Sequence, residues 1–482
     1  MTLLRPDTLA DLTIPVPAYD RAAVTPAIVH FGVGAFHRAH QAVYLDRVLG
    51  AGDTGWGLVG FGLLPGDRVT RDVAAEQGGL YTLTTLAPDG AAATRVVGSI
   101  LDVVFGPDDP ERVLALLTSP TTRIVSLTIT EGGYAIDDAT GAFAPSDPLT
   151  LADLDGDGPP RSAWGYLTEA LRRRRAAGVP PFTVLSCDNV QGNGHVARLA
   201  LTSFARRRDP GLADWIDAEV AFPSSMVDRI TPVVTPEVAR GVEERCGVED
   251  RWPVQSEAYL QWVLEDEFPL GRPAFDAVGV QLVADVAPYE RMKLRLLNAS
   301  HQAMSYLGLR AGFTMVDEVC TDPDFRAFLL GYMREEAIPT LGEVPGIDLD
   351  DYCDQLIARF SSQAVRDTLA RQVVDGSDRI PKFLLPVVRA QLAAGGPIDR
   401  CATVLAGWGL YLEGHLAEGA APLADRRADE LLAVAEEEER EPGALLGYAP
   451  VFGDLGDDKR LRAAYLAARR RIVAQGVRAA VG

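Results

Sequence analysis

The sequence predicts an α/β protein: a doubly wound N-terminal domain over residues 1–284 and a mainly α-helical C-terminal domain over residues 285–482. Three observations predict it. Short apolar runs alternate with helical patterns in the first half, a glycine turn closes the first of those runs, and near residues 285–288 the period changes and long helical patterns take over. A chain of 482 residues also exceeds what one hydrophobic core usually supports.

The apolar runs at residues 27–32, 57–63, 123–128 and 182–186 read as buried strands, because a strand covered on both faces shows a continuous apolar run instead of alternation. The insert at residues 136–160, rich in Asp, Gly and Pro, reads as a surface loop leading to a helix that begins near Ser162. Arg172 to Arg175 close that helix, where cations suit the negative end of the helix dipole. In the second domain, helical patterns cover residues 289–307, 325–336, 362–374, 380–394 and 400–416, and the acidic run Glu436 to Glu439 reads as a solvated helix face.

Composition narrows the class. With 47% apolar and 23% charged residues the chain is globular, and a formal charge of -21 repels phosphate backbones and anionic membranes, so neither nucleic acid nor lipid is expected as a partner. No secretion signal is read at the start and no run of about eighteen apolar residues occurs, so a cytoplasmic location is expected. Cys187, Cys246, Cys320, Cys353 and Cys401 are odd in number and far apart, which predicts reduced thiols without structural or redox pairing.

Residues 28–40 run from an apolar strand through a tight turn into a helix. Phe31, Gly32, Val33, Gly34, Ala35 and Phe36 form this turn, with Gly32 permitting it, Gly34 admitting a pyrophosphate and the helix amino terminus offering free N–H groups. This is the geometry of a Rossmann-like dinucleotide site, although His37 stands where the third glycine of the fingerprint usually lies. After the second strand, Asp67 is placed to accept hydrogen bonds from the adenosine ribose and to repel a 2′-phosphate, which favours NAD over NADP.

The stretch at residues 289–304 carries most of the chemistry. At 100° per residue Lys293, Asn298 and His301 share one face, span about 12 Å of helix axis, and are flanked by Leu294, Leu296, Leu297, Ala299, Ala303 and Met304. A lysine in such apolar surroundings is pushed towards its neutral amine, which is what removing a hydroxyl proton requires. Asn298 can hold the oxygen as it gains negative character, and His301 can orient the lysine or a hydroxyl. A metal-dependent route lacks ligands at familiar spacing: His37 and His40 lie three apart without a completing set, and Asp153 to Gly158 imitates a calcium loop that Pro159, Pro160 and Trp164 fail to continue.

Four motifs give these residues a family. They are residues 32–40 (GVGAFHRAH), Ser186-Cys187-Asp188-Asn189, residues 222–232 (FPSSMVDRITP), and Lys293 with Asn298 and His301. Through them the chain resembles the polyol-specific long-chain dehydrogenases over nearly its whole length. The resemblance implies NAD-dependent, metal-free oxidation of a small sugar alcohol with Lys293 as the base, Asn189 and Asn298 holding the reacting oxygen and His301 on the substrate. It further implies substrate contacts from Asp228, Arg371 and Arg379, Arg379 standing where relatives often carry lysine. Oxidation of D-mannitol to D-fructose and its reverse is the expected reaction, with fructuronate reduction and D-arabinitol 4-oxidation as alternatives. The resemblance permits a monomer, with the active site between the two domains.

Overall fold

The computed structural model describes residues 2–137, 140–156 and 158–482, and the chain divides into two compact units. Residues 1–87 with 91–287 form the first, and residues 88–90 with 288–482 form the second. Asp157, inside the calcium-loop imitation, lies outside the described residues.

Five parallel strands form the centre of the first unit: β1 (Pro26–Phe31), β2 (Gly57–Gly62), β3 (Ile100–Phe105), β4 (Ile124–Leu127) and β5 (Thr183–Ser186). They lie in the order β3-β2-β1-β4-β5, so the chain direction across the sheet reverses between β1 and β4. The apolar runs are strands because alternate residues pack against different helices. Val29, Phe31, Val59, Phe61, Val125 and Val184 meet α4 (Pro110–Thr118), α6 (Ala163–Ala177) and α7 (Asn193–Arg208) on one face. Ile28, Leu58, Ile124 and Leu185 meet α2 (Gln41–Gly50) on the other. Burial on both faces is the arrangement that parallel sheets require. A second small sheet pairs β6 (Ser225–Asp228) antiparallel to β7 (Gln261–Glu265), with β8 (Gln281–Val283) parallel on its far side.

The insert at residues 136–160 differs from the expected loop. It contains the helix α5 (Pro148–Asp155), started by Pro148 and capped by Asp147, whose carboxylate accepts from Thr150 N at 2.8 Å. Asp153 is buried and accepts from the backbone of Arg161 and Ser162 and from the Ser162 hydroxyl, so it joins α5 to the start of α6.

The basic run does close α6, and one of its members does more than offset a dipole. Arg172 and Arg173 reach Glu169 and Glu111 at the surface, whereas Arg174 is 1% exposed and donates to the carbonyls of Leu117, Ser119, Thr122 and Pro180. It supplies donors to four backbone carbonyls on two neighbouring segments.

The second unit is helical, as its period predicts. A continuous run of turns passes from α8 (Ala287–Met292) through a π-helical turn over Lys293–Asn298 into α9 (Ala299–Arg310). The α9 helix packs on α10 (Asp399–Gly414), which packs in turn on α11 (Lys459–Gln475). Glycines on α10 allow this: a Cβ at Gly407 would sit 2.6 Å from Leu307 and one at Gly409 2.5 Å from the Tyr465 hydroxyl.

Two expectations fail here. Residues 362–374 are not one helix; only Leu369–Gln372 is α-helical, because Val316 N binds Asp367 O and Leu369 N binds Thr314 O, drawing the chain into a bridge between Thr368 and Met315. The acidic run is not wholly solvated either. Glu438 is buried and accepts from Gly443 N, Leu445 N and the Tyr465 hydroxyl, so it ends one helix and anchors another.

Replacing Arg174 with Met should destabilise the first unit by about 3 kcal/mol, the cost of leaving several buried carbonyls without donors. Replacing the exposed Arg172 with Ala should cost less than about 0.5 kcal/mol. Urea unfolding monitored by tryptophan fluorescence distinguishes the two.

Candidate functional site

In the first unit the glycine turn lies where β1 ends beside β4. Gly32 has φ 90°, and a Cβ there would stand 2.1 Å from Thr128 O, so both the backbone and the close approach of β4 demand glycine. A Cβ at Gly34 would meet nothing within 4 Å, which leaves open space over the turn for a ligand backbone such as a pyrophosphate. Phe31 is buried at the strand end, Val33 packs onto Gly60 of β2, and Ala35 and Phe36 begin the short helix α1 (Ala35–Ala39). That helix is shorter than its sequence pattern suggests: His40 breaks it at φ -120°, ψ -89° before α2 restarts.

His37, in place of the third glycine, lies under the turn. Its ring stacks on His30 at 3.4 Å between centroids. His30 is bonded through Nδ1 to the Ser126 hydroxyl at 2.7 Å and through Nε2 to the Thr128 hydroxyl at 2.8 Å, and Thr128 donates to Gly32 O at 2.6 Å. Burial pushes the His30 imidazole down to about 3 and the His37 imidazole well below its ordinary value, so both rings are neutral. His40 binds Gln261 O at 2.7 Å. Among the described residues no group of three or more His, Cys, Asp or Glu side chains is gathered to hold a metal ion.

Asp67 stands at the carboxyl end of β2, at the first position of α3 (Asp67–Gln77). Its Oδ2 accepts from Leu63 N and Leu64 N, both at 2.8 Å, so part of its acceptor capacity is spent on its own turn. Next to it, Arg68 forks onto Asp108.

Beyond β5 a buried knot determines the position of Asn189, and sequence reasoning missed most of it. Asp188 accepts from Ile129 N, Thr130 N and the Tyr134 hydroxyl at 2.7–3.0 Å, fastening the end of β4 to the end of β5. Asn193 donates to Asp188 O at 3.0 Å and Ser225 O at 2.8 Å and accepts from Ser225 N. The exposed Asn189 turn is therefore tied to β6, which ends in the buried Asp228. The signal was available: Asp188 lies inside the Ser186-Cys187-Asp188-Asn189 motif. Cys187 is buried, its thiol is pushed well above the usual range by burial, and it has no redox partner.

In the second unit Lys293 and Asn298 open and close the π-helical turn, and both are buried, at 8% and 9% exposure. This corrects the 100° projection. A turn closed by i→i+5 bonds is wider than an α turn, so the angular offsets expected between Lys293, Asn298 and His301 do not hold. Such turns interrupt helices frequently at functional sites.

One turn into α9, His301 packs its ring against Phe360 at 4.7 Å, and its Nε2 is buried without a partner among the described residues. Burial pushes this imidazole down to about 4; Asp367 opposes that shift, and Arg371, Arg379 and Arg359 reinforce it. Arg371 is forked onto Asp367, and Arg379 donates to Gln372 O at 3.0 Å, which also receives Gln302 from α9. The residues assigned to the substrate in this unit are thus gathered around His301, while Asp367, Gln302 and Phe360 join them without having been singled out in the sequence.

The parallel sheet with its open glycine turn and the helical unit with a buried lysine define a two-domain dehydrogenase of the nucleotide-binding kind. Residues 26–277 match the model of the mannitol dehydrogenase Rossmann domain and residues 285–473 that of the mannitol dehydrogenase C-terminal domain. The chain belongs to the mannitol dehydrogenase family. It is 45% identical over 474 residues to a mannitol 2-dehydrogenase of Phaeosphaeria nodorum, covering 97% of this chain and 83% of that protein. A mannitol 2-dehydrogenase of Aspergillus fumigatus is 42% identical over 96% of this chain and 94% of its own length. Among solved structures, Pseudomonas fluorescens mannitol 2-dehydrogenase in a ternary complex with NAD and D-mannitol superposes with a TM-score of 0.89 at 41% identity, covering 100% of this chain and 99% of that one. A D-sorbitol dehydrogenase in substrate-free form gives 0.92 at 38% identity, with 100% of both chains covered.

The three neutral histidines give stability a pH dependence. Their folded values lie below the unfolded value of about 6.5, so the unfolded chain binds protons that the folded chain refuses, and stability falls as pH is lowered from about 6.5 towards 4. The thermal midpoint should drop between pH 7.5 and pH 5, and drop less in a His37→Gln variant.

Proposed function

We propose that this protein interconverts D-mannitol and D-fructose with NAD, using Lys293 as general base and no metal ion. The observation that carries the proposal is the burial of Lys293 on a π-helical turn that ends at Asn298, in a chain 41% identical to an enzyme captured with NAD and D-mannitol. Burial in general disfavours the charged form of an amine, which supports the role of base for Lys293.

Bound at the glycine turn, NAD supplies the hydride acceptor. The open space at Gly34 and the end of β1 beside β4 fit its pyrophosphate, and Asp67 at the end of β2 fits the adenosine ribose. When C2 of the polyol loses hydride, its hydroxyl proton passes to Lys293 Nζ, and the C–O single bond becomes the carbonyl of the ketose. The amides of Asn298 and Asn189 hold the oxygen while it carries negative character. His301 stays neutral and offers its free Nε2 to a substrate hydroxyl. Asp228, Arg371 and Arg379 hold the rest of the sugar chain. In the reverse direction the lysine ammonium returns the proton.

Lys293→Ala should lower kcat for mannitol oxidation about a thousandfold or more while changing NADH affinity less than about threefold, read by steady-state kinetics and NADH fluorescence titration. Dialysis of the wild-type protein against EDTA should leave turnover unchanged. Retained turnover in the variant, or loss on dialysis restored by zinc, would overturn the assignment.

A further inference from the structure

The second unit holds a buried carboxylate that the reaction does not consume. Only 8% of the Asp367 side chain is exposed, and it is fully engaged: Arg371 donates to it through Nε at 2.8 Å and Nη2 at 2.6 Å, and Gln372 Nε2 donates at 2.7 Å. The backbone is bent to put it there. Arg366, immediately before it, has φ 49°, a left-handed conformation that a non-glycine residue keeps only when its surroundings insist. Val316 N on Asp367 O and Leu369 N on Thr314 O pin the chain from Asp367 onward. Strain stored beside a buried charge at the candidate site points to a purpose beyond folding.

We propose that Asp367 determines substrate class: by filling the guanidinium fork of Arg371, it makes the site accept neutral sugar alcohols and ketoses and refuse sugars that carry a carboxylate. The inference rests on the polyol dehydrogenase reading given above. Arginine presents a planar fork that matches a carboxylate in two places, and a hexuronate would be the natural external occupant of a free one. Here the occupant is internal. A uronate would meet Arg371 with its Nε/Nη2 edge already taken and its charge offset by Asp367, so only the Nη1 side is left to it, and Asp367 stands beside it as a like charge.

Hydroxyl groups do not face that competition, since they need single hydrogen bonds from Arg379 or from the remaining N–H groups of Arg371. The charges felt by His301 give the same direction: three guanidiniums, of Arg359, Arg371 and Arg379, against the one carboxylate of Asp367. Without Asp367 the surroundings of His301 would be cationic enough to attract an anionic sugar. The device is a repulsive element built against the wrong substrate.

Asp367→Asn keeps the size of the side chain and removes its charge. Reduction of D-fructose and of D-fructuronate is measured with NADH in the wild-type and variant proteins. The ratio of kcat/KM for fructuronate to that for fructose should rise at least tenfold in the variant, through a lower KM for the uronate. A parallel fall for both substrates would show a merely structural role and overturn the proposal.

Arg371→Gln serves as the second variant. Because the fork is already filled, its loss should change the wild-type ratio less than about twofold, and a tenfold selective loss of fructuronate turnover would also overturn the proposal. Calorimetric titration of D-mannonate into the NAD-loaded wild-type and Asp367→Asn proteins keeps this test apart from that of the activity. Absence of fructose turnover in the wild-type protein would count against the reaction, whereas equal mannonate affinity in the two forms would count against Asp367.

Discussion

The close approach of Gly32 to Thr128 is the constraint from which the nucleotide half of this protein is built. With only 2.1 Å available where a Cβ would stand, the end of β1 and the end of β4 must lie against each other, and that is the place where the strand order reverses. Ligands in open α/β sheets bind at such reversals. The polar layer beneath, His30 with Ser126 and Thr128 and His37 stacked upon it, holds the turn from inside without exposing a side chain to the space above Gly34. Asp188 extends the same arrangement by fastening β4 to β5, so the loops that carry the glycine turn and Asn189 share one rigid base.

The helical unit solves a different problem, which is how to keep polar groups inside an apolar helix pair without wasting them. A regular α-helix would bury Lys293 and Asn298 in fixed register with Leu296 and Leu297. The π-helical turn inserts a wider step at those residues and changes where their side chains emerge. Around His301, ion pairing and burial act together: the ring is kept neutral, and the half-exposed guanidinium of Arg371 is held by the Asp367 carboxylate. Both effects favour recognition of uncharged hydroxyls by hydrogen bonding over recognition by net charge.

Much of this was legible in the sequence, for physical reasons that differ by element. The strands of the parallel sheet announce themselves because burial on both faces forces a continuous apolar run. The glycine turn is visible because only glycine tolerates φ 90° against a neighbouring strand, and the lysine, asparagine and histidine run is visible because polar residues inside an apolar helix are expensive. The π-helical turn was not legible, since an angular projection assumes the period it would need to detect. Helix α5 was obscured by Gly and Asp in its neighbourhood, although Asp147-Pro148 is a recognisable start. Glu438 was hidden in an acidic run, where only its spacing from Leu431 and Ala435 marks the buried face. Asp367 lies four residues before Arg371, but its role depends on a left-handed Arg366 that composition does not reveal.

The central claim is that the buried amine of Lys293 takes the hydroxyl proton of the substrate. A crystal structure of the protein with NAD and D-mannitol bound tests it most directly. The expected result is Lys293 Nζ within about 2.6–3.2 Å of the C2 hydroxyl oxygen, with the Asn298 amide on the same oxygen. An amine turned to bulk water, with another base on that hydroxyl, would contradict it.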